Sequence, residues 1–303
     1  MTNKDISVII PVFNDPQGIK DTLSSLLNQN FEGEYEILPV DNNSNDLTSK
    51  VIQRYEEKSN LIKGLQEIDI QSSYAARNKG IRKSEGDIIC FLDADMWVNK
   101  DYLSKVYSYF EKQTDVDYIG CNVEIINNYE TLTGYFNEKN GFPVENYMNN
   151  KNFSPTCCLS LRKEIFEDIG YFNKNIISGG DKAFGKRVSN SQFKMKYVDY
   201  ITVYHPARGK ITDFIDKYFR IGRGKYQKKI KGLKKSEDLE KNFNIKKEIK
   251  AIFWKVQNIL ENRKNLEWRV KIIFFLFYLI KRGSMLAGYQ YERLRKILED
   301  WKS

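Results

Sequence analysis

Two carboxylates, Asp93 and Asp95, follow directly on the apolar run at residues 88–92. The run is typical of a buried strand, and side chains two residues apart at a strand end project in the same direction. Two carboxylates placed in this way can bind a divalent cation together with the polyphosphate that the cation carries. Because an isolated Asp-x-Asp is also common in surface turns, the preceding strand is the feature that favours phosphate chemistry.

Three polar clusters each follow a predicted strand: Phe13-Asn14-Asp15 after residues 6–10, residues 41–46 after residues 35–40, and Asp93-Ala94-Asp95 after residues 87–92. The carboxyl ends of parallel strands lie at one edge of a sheet, and ligands of such sheets bind outside that edge. The sequence therefore predicts that these clusters form one site.

Helical spacing of apolar residues separates the strands. It predicts helices over residues 16–28 and 75–83, and a helix that carries Val51 and Tyr55. A short strand at residues 65–68 is also expected. Strands that alternate with helices at this spacing predict an α/β fold with a mostly parallel central sheet, covered on both faces.

The composition narrows the class of protein. The 303 residues suffice for one principal domain of roughly 200 residues and an appendage. Neither Gly-x-Gly-x-x-Gly nor a phosphate loop ending in Gly-Lys-Ser or Gly-Lys-Thr occurs, which argues against dinucleotide oxidoreduction and ordinary ATP hydrolysis. The four cysteines match neither a zinc site nor a disulfide framework, and the first apolar run is too short for a signal peptide. A reducing, cytoplasmic setting is expected.

Five motifs in this order resemble those of family 2 glycosyltransferases of the GT-A fold: Ser7-Val-Ile-Ile-Pro-Val-Phe-Asn14, Val40-Asp-Asn-Asn-Ser-Asn-Asp46, Ala76-Arg-Asn-Lys-Gly80, Gly86-Asp-Ile-Ile-Cys-Phe-Leu-Asp-Ala-Asp95 and Gly179-Gly-Asp181. The resemblance implies sugar transfer from a nucleotide-sugar donor, usually with inversion and with a divalent metal, Mn²⁺ or Mg²⁺. It implies a catalytic domain over residues 1–209, with a donor half (1–98) and an acceptor half (99–209), before a basic helical extension over residues 210–303.

By this resemblance the donor binds through eight residues of the first half: Pro11, Phe13, Asn14, Asp41, Arg77, Asp93, Ala94 and Asp95. Phe13 would stack on the nucleobase, and Asp41 would accept a hydrogen bond from the imide N–H of the base. The alternative is a Phe13 in the core and an Asp41 that caps the next helix. Arg77 would hold the donor phosphate or orient Asp93.

The resemblance implies that Asp95 ligates the metal directly and that Asp93 contacts the ribose or a metal-bound water. His205, the only histidine, closes an apolar run at residues 200–204, where a neutral imidazole could complete the metal's coordination. The alternative is a strand-end histidine with a backbone partner. Arg208 and Arg223 are expected either to close over the pyrophosphate or to belong to the basic surface.

Asp181 matches the family's general base, a carboxylate within reach of the attacking hydroxyl on the side opposite the leaving group. The alternative role is a helix cap. Many relatives have Glu-Asp where this chain has Gly180-Asp181, which puts acceptor recognition in doubt. The acceptor, a glycan or lipid-linked glycan, is expected to contact Thr156, Cys157, Gly179 and Gly180.

The resemblance leaves the donor and the stereochemistry open. A UDP-sugar is the first expectation for the donor, and GDP-mannose is the second. Two alternatives to an inverting enzyme remain: a retaining transferase on the same fold, and a catalytically inactive protein that binds sugar nucleotides or glycans.

From residue 206 onward Lys and Arg outnumber Asp and Glu by more than two to one. The apolar run at residues 272–280 is too short to span a bilayer, which takes roughly 20 residues. With its flanking Lys271, Lys281 and Arg282 it predicts a helix in the interface of an anionic membrane, on the cytoplasmic face; a core helix or a contact in a homo-oligomer is the alternative. The basic segment 228–235 fits membrane, acidic glycan or solvent. No nucleic-acid-binding motif accompanies the charge, so no nucleic-acid partner is expected.

Overall fold

A computed structural model of the chain describes residues 4–230 and 268–302. These residues form two compact units. The first comprises the described residues up to Ile126, together with Asn140–Asn175 and Gly180–Pro206. The second comprises Asn127–Lys139, Ile176–Gly179 and the described residues from Ala207 onward. The chain passes from the first unit to the second between Pro206 and Ala207, and the second unit also includes two short earlier segments.

Within the described part of the first unit, eight strands form one sheet in the order β3-β2-β1-β4-β7-β6-β8-β5. Their bounds are Lys4–Val12 (β1), Tyr35–Asp41 (β2), Leu65–Gln66 (β3), Gly86–Phe91 (β4), Trp97–Val98 (β5), Tyr118–Ile126 (β6), Leu159–Arg162 (β7) and Met195–Pro206 (β8). The strands β1 to β4 are all parallel, which confirms the predicted parallel pattern for this part of the sheet.

The acceptor half of the sheet is mixed. Strand β7 pairs antiparallel with both β4 and β6, β6 and β8 are parallel, and β5 is antiparallel to β8. The register of β6 and β8 shifts between Cys121 and Asn122. Strand β1 is buried from Ile6 to Val12, as expected for a Val- and Ile-rich strand covered on both faces.

The helices of the first unit are Pro16–Leu27 (α1), Thr48–Glu56 (α2), Ser73–Lys83 (α3), Tyr102–Lys112 (α4), Val144–Lys151 (α6), Ile165–Ile169 (α7) and Gly180–Ser189 (α8). Side chains fix two of the starts that matter for the site. Asp15 accepts a hydrogen bond from Gly18 N (2.9 Å) before α1, and Ser72 accepts one from Tyr74 N (3.3 Å) before α3. These caps hold the first turns of both helices at the edge of the sheet.

The second unit contains the helices Leu132–Asn140 (α5), Ile211–Ile230 (α9) and Trp268–Lys302 (α10). Its core includes Phe136, Phe214, Phe274 and Phe277, so one face of the apolar run at residues 272–280 packs inside the protein. Ile272, Leu276 and Leu279 lie on the opposite, exposed face. Residues 231–267, and with them most of the basic segment 228–235, lie outside the described residues. No described helix is long and apolar enough to cross a membrane.

Helices α9 and α10 pack closely. A methyl group on Gly222 would overlap the backbone of Met285, so only glycine permits this approach. Nearby, the buried Glu292 of α10 accepts hydrogen bonds from Arg223 Nε (2.7 Å), Gln227 Nε2 (2.8 Å) and Arg295 Nη2 (2.6 Å). The other end of the Gln227 side chain accepts a hydrogen bond from Ile177 N (2.9 Å). The short segment Ile176–Gly179 is thus tied to α9.

Candidate active site

The loops after β1 and β2 are held together by hydrogen bonds. Asn14 N donates to Ser44 Oγ (2.9 Å), and Asn45 N donates to the side chain of Asn14 (2.9 Å). Asn14 has a φ of 51°, a left-handed conformation that asparagine tolerates well. Pro11 lies opposite Val40 in the β1–β2 pairing, and Phe13 is 47% exposed at the rim. An exposed ring at this position is open to stacking, and Phe13 does not belong to the core.

Asp41 is buried at the end of β2. Its Oδ1 accepts a hydrogen bond from Ser44 N (3.0 Å), and its Oδ2 accepts one from Ser49 Oγ. Asp41 therefore orders the loop after β2 and holds the Ser49 hydroxyl, but it is not the cap of α2, whose N-cap residue is Leu47. Each carboxylate oxygen can accept more than one hydrogen bond, so these contacts orient Asp41 without using its full capacity as an acceptor.

Arg77 and Asp93 form an ion pair. Nη2 of Arg77 lies 2.5 Å from Oδ1 of Asp93, and Arg77 is buried while Asp93 is 41% exposed. Nη1 of Arg77 reaches Ser73 O (3.4 Å), but its Nε has no hydrogen-bond acceptor among the described residues. A buried guanidinium N–H without an acceptor destabilises the folded protein. Binding of an anion to this N–H would offset that cost.

Asp95 faces His205. The distance from Asp95 Oδ2 to His205 Nε2 is 3.7 Å, and the imidazole is buried. Nδ1 of His205 lies 2.6 Å from Pro206 O. Because a carbonyl only accepts hydrogen bonds, Nδ1 carries the proton, and the lone pair of the neutral ring is on Nε2, toward Asp95. The backbone partner of the alternative interpretation is present, and it is also what a metal-binding histidine requires of its second nitrogen.

The loop between Asp93 and Asp95 is anchored on α1. Thr22 Oγ1 lies 2.9 Å from Ala94 O and 2.6 Å from Met96 O. Asp15, at the start of α1, is close enough to Asp95 for their charges to interact. The pKa of Asp15 is raised from 3.8 by burial and, to a smaller extent, by the charges of Asp95 and Asp46, although the hydrogen bond from Gly18 opposes the shift. Negative charge therefore accumulates beside Asp95.

The residues present fit a divalent cation that takes some of its ligands from the protein and the rest from a bound diphosphate or from water. Asp95 and His205 offer one carboxylate oxygen and one imidazole nitrogen, a donor set suited to Mn²⁺. In the described parts of the chain no three His, Cys, Asp or Glu side chains converge as a complete metal site. Phosphate oxygens or water would therefore supply the remaining ligands, which is the usual arrangement for a cation that travels with a polyphosphate.

Asp181 lies in the first turn of α8, where the helix dipole favours a negative charge. Its carboxylate is near three tyrosines, since its charge contributes to raising the pKa values of Tyr74, Tyr118 and Tyr147 after the larger effect of burial. Gly180 N donates to the hydroxyl of Tyr74 (2.9 Å).

The turn that is predicted to contact the acceptor lies near the Arg77–Asp93 pair. Thr156 and Cys157 lie in a buried 3-10 turn, Thr156–Cys158, before β7. The pKa of the Cys157 thiol is raised by its hydrogen bond to Cys158 and by burial, and the charges of Asp93 and Arg77 also act on it. Cys157 is thus adjacent to the Arg77–Asp93 pair.

Three predicted site residues belong to the second unit. Gly179 has a φ of 81°, Arg208 N donates to Asn137 Oδ1 (2.7 Å), and Arg223 pairs with Glu292. Arg223 therefore already has an anionic partner within its own unit.

Sequence reasoning missed Tyr74 as a site residue and named Asp15 only as part of a polar cluster. The position of Asp15 directly after β1 was a usable signal. Tyr74 gave none, because its contact with Gly180 joins residues that are far apart in sequence.

Comparisons with known proteins identify the family of the chain. The family model of glycosyl transferase family 2 matches residues 7–170, more than half of the chain. The chain belongs to glycosyl transferase family 2. It is 33% identical over 224 residues to the glycosyltransferase AglE of Haloferax volcanii, a match that covers 73% of each protein. This family 2 chain is therefore a glycosyltransferase.

Two further proteins extend the comparison. TarS of Staphylococcus aureus, a poly(ribitol-phosphate) β-N-acetylglucosaminyltransferase, is 31% identical over 107 residues, which are 35% of this chain and 19% of that longer protein. A structure of TarS residues 1–349 with UDP has a TM-score of 0.54 at 20% identity, covering 96% of this chain and 91% of that one. The mannosyltransferase PcManGT of Pyrobaculum calidifontis, solved with GDP-Man and Mn²⁺, has a TM-score of 0.65 at 14% identity, covering 98% and 89%. These likenesses establish the GT-A fold.

Proposed function

We propose that this glycosyltransferase moves a sugar from a nucleotide-diphosphate sugar to a hydroxyl of a glycan or lipid-linked glycan, with inversion and with Mn²⁺ or Mg²⁺. The observation that carries the proposal is the Asp95–His205 pair, whose 3.7 Å separation and tautomer suit two ligands of one cation. The adjacent Arg77 supplies positive charge with an unpaired donor, as a diphosphate site requires.

The nucleotide would bind between the loops after β1 and β2. Phe13 would stack on the base, Asp41 would accept from its imide N–H, and Asn14 would shape the loop through its left-handed conformation. Uracil offers such an imide N–H, and guanine offers a comparable ring N–H at N1, so UDP- and GDP-sugars both fit. A UDP-sugar is the first candidate, and the complexes of TarS with UDP and of PcManGT with GDP-Man support testing both.

The diphosphate would lie over Asp93, Ala94 and Asp95 at the end of β4. Asp95 and His205 would hold the cation, which when bound neutralises the charge that builds on the departing nucleotide diphosphate. Arg77 holds Asp93 in place through its 2.5 Å ion pair. Arg208 is proposed to close over the pyrophosphate. Arg223 is the weaker candidate, because it would have to leave Glu292.

Asp181 would accept the proton of the attacking acceptor hydroxyl. Its place at the start of α8, close to Tyr74 and Tyr147, supports a role beside the Arg77–Asp93 pair. The turn with Thr156 and Cys157, and the residues Gly179 and Gly180, would line the acceptor. Direct attack of the hydroxyl with Asp181 as base inverts the anomeric centre.

The exposed face of α10 is proposed to rest on an anionic membrane surface of the cytoplasmic side. Ile272, Leu276 and Leu279 form an apolar stripe opposite the core face, and Trp268 and Trp301 are exposed near the two ends of the helix. The charge of the tail is complementary to anionic lipid. The protein should therefore sediment with vesicles that contain phosphatidylglycerol, and a variant with serine at 272, 276 and 279 should not. Retention of dimers at high salt without vesicle binding would favour a homo-oligomer instead.

The test of the function is transfer by the purified protein. UDP- and GDP-sugars are screened with Mn²⁺ and with chelator, and the anomer of the product is read by NMR. Asp95→Asn and Asp181→Asn should each lose transfer, whereas Asp101→Asn should not, because Asp101 is a half-exposed carboxylate paired with Lys105. A product with the donor's anomeric configuration would make the enzyme retaining. Donor binding without transfer to any acceptor would favour a binding protein.

A further inference from the structure

We propose that Tyr74 is a positioning residue, whose hydroxyl caps the first turn of α8 and so fixes the backbone that carries Asp181. The inference rests on the proposed function, in which Asp181 is the base. Its structural basis is the hydrogen bond from Gly180 N to Tyr74 Oη (2.9 Å), made between two buried groups.

Helix α8 needs such a partner. The first N–H groups of a helix have no acceptor within the helix, and a Ser, Thr, Asp or Asn before the first turn usually provides one. The residue before α8 is Gly179, which has no side chain. The phenol oxygen of Tyr74 takes its place, and it accepts from the backbone of both Gly180 and Asp181. A residue of α3 therefore caps the first amide of α8, while Asp181 Oδ1 accepts a local hydrogen bond from Lys182 N (2.8 Å).

The electrostatics of the phenol agree with this arrangement. Burial, and then the negative charge of Asp181, raise the pKa of Tyr74, while Arg77 and the two backbone N–H groups act against the shift. The net result is a phenol that stays protonated. The phenol is thus a neutral cap beside the Asp181 carboxylate. An Asp or Glu in place of Tyr74 would carry a negative charge and would be repelled by Asp181.

The ring of Tyr74 also explains why position 180 is glycine. A Cβ on residue 180 would lie 2.7 to 2.9 Å from three ring carbons of Tyr74, closer than real Cβ contacts. A side chain at position 180 therefore cannot coexist with Tyr74 in this geometry. Tyr74 and Gly180 therefore form one structural feature.

The same helix turn connects this cap to the donor side. Arg77 follows Tyr74 by three residues, and its guanidinium lies 5.8 Å from the centre of the Tyr74 ring. Arg77 in turn pairs with Asp93. One turn of α3 therefore holds both the segment of the base and the first carboxylate of the donor site, which fixes the distance between them.

Three variants test the proposal. Tyr74→Phe keeps the ring and removes the cap. Gly180→Glu introduces the clash, and the double variant Tyr74→Ala/Gly180→Glu relieves it. Tyr35→Phe is the matched control, because it also loses a buried phenol hydrogen bond, to Leu26 O (3.1 Å), at the start of β2.

We expect Tyr74→Phe to lower kcat for transfer about 10- to 100-fold, the effect of a small displacement of a positioned group, with KM for the donor nearly unchanged. The control should keep wild-type kcat. Gly180→Glu should lower kcat further because of the clash. Adding Tyr74→Ala relieves the clash but also removes the cap, so the double variant should recover activity no higher than that of Tyr74→Phe. Equal kcat in Tyr74→Phe and wild type, or a double variant more active than Tyr74→Phe, would overturn the proposal.

Amide hydrogen exchange separates this inference from the role of Asp181. The amides of Gly180 and Asp181 should exchange faster in Tyr74→Phe and remain protected in Tyr35→Phe, whatever chemistry Asp181 performs. If Asp181→Asn retained transfer, Asp181 would not be the base. The exchange data would still show whether Tyr74 caps α8. Unchanged exchange in Tyr74→Phe would contradict the cap itself.

Discussion

Replacing Arg77 by methionine should separate stability from function. Methionine has a similar length and a good helix propensity, so α3 should persist. The substitution removes the only positive charge that contacts Asp93 in the described residues and, by the proposed function, a charge that holds the donor diphosphate. We expect the folded state to tolerate the change and donor binding to fail.

The magnitude for stability follows from the environment of the guanidinium. Loss of the ion pair with Asp93 costs stability, but Asp93 is 41% exposed and stays hydrated once unpaired, so this cost is about 1 to 2 kcal/mol. The buried Nε has no acceptor, and its removal regains about 1 to 3 kcal/mol of desolvation. The two effects nearly cancel, and the free energy of unfolding should change by less than about 1.5 kcal/mol.

The magnitude for function is larger. Removing one preorganised charge or donor from a site that stabilises developing negative charge typically lowers the rate about 10²- to 10³-fold. The assays are urea unfolding for stability and steady-state transfer for kcat/KM. Arg162→Met is the matched control, because Arg162 donates its hydrogen bonds to backbone carbonyls, Phe110 O (2.9 Å) and Val116 O (3.3 Å). It should lose about 1 to 3 kcal/mol of stability and keep donor affinity.

The opposite pattern would refute this reasoning. If Arg77→Met unfolded with a loss of more than about 3 kcal/mol while binding the donor normally, Arg77 would be a structural residue whose ion pair with Asp93 behaves as a buried one.

Two further predictions concern the second unit. Burial by itself would raise the pKa of the Glu292 carboxyl. The hydrogen bonds from Arg295, Gln227 and Arg223 outweigh burial, so the pKa is lowered from 4.5. Its contribution to stability should therefore be complete above pH 4.5 and be lost as the pH falls through the lowered pKa, and Glu292→Gln should abolish that acid-dependent part in urea titrations between pH 3 and 6. Gly222→Ala should lower stability by about 1 to 3 kcal/mol because the methyl group overlaps Met285, whereas Gly283→Ala, with open space around it, should raise Tm slightly; equal shifts would disprove the close packing of α9 and α10.

Local patterns in the sequence predicted the donor half well. Helix α1 was expected at residues 16–28 and spans Pro16–Leu27, and β4 was expected at residues 87–92 and spans Gly86–Phe91. Helix α1 has apolar residues at helical spacing and an N-cap at Asp15, and β4 is a continuous apolar run, so local residues determine both elements. Strand β3 is shorter than expected, because Glu67 turns its side chain to accept hydrogen bonds from Asp69 N and Ile70 N.

Long-range pairing could not be predicted from local patterns. Strand β7 lies between β4 and β6 in an antiparallel orientation, and the shift at Cys121 depends on β8, which is far away in sequence. The same limit applies to the site. The polar clusters at the ends of β1, β2 and β4 could be named from local sequence, but the hydrogen bond between Tyr74 and Gly180 joins residues 106 positions apart, which no spacing rule indicates.

The central claim is that Asp95 and His205 hold a divalent cation jointly with the nucleoside diphosphate. Isothermal titration of UDP and of GDP, each with and without Mn²⁺, measures this coupling directly. We predict that Mn²⁺ strengthens binding of the preferred nucleotide at least tenfold in the wild-type protein, and that this gain is lost in Asp95→Asn and strongly reduced in His205→Ala. Equal affinity with and without Mn²⁺, or a full Mn²⁺ effect in Asp95→Asn, would contradict the account.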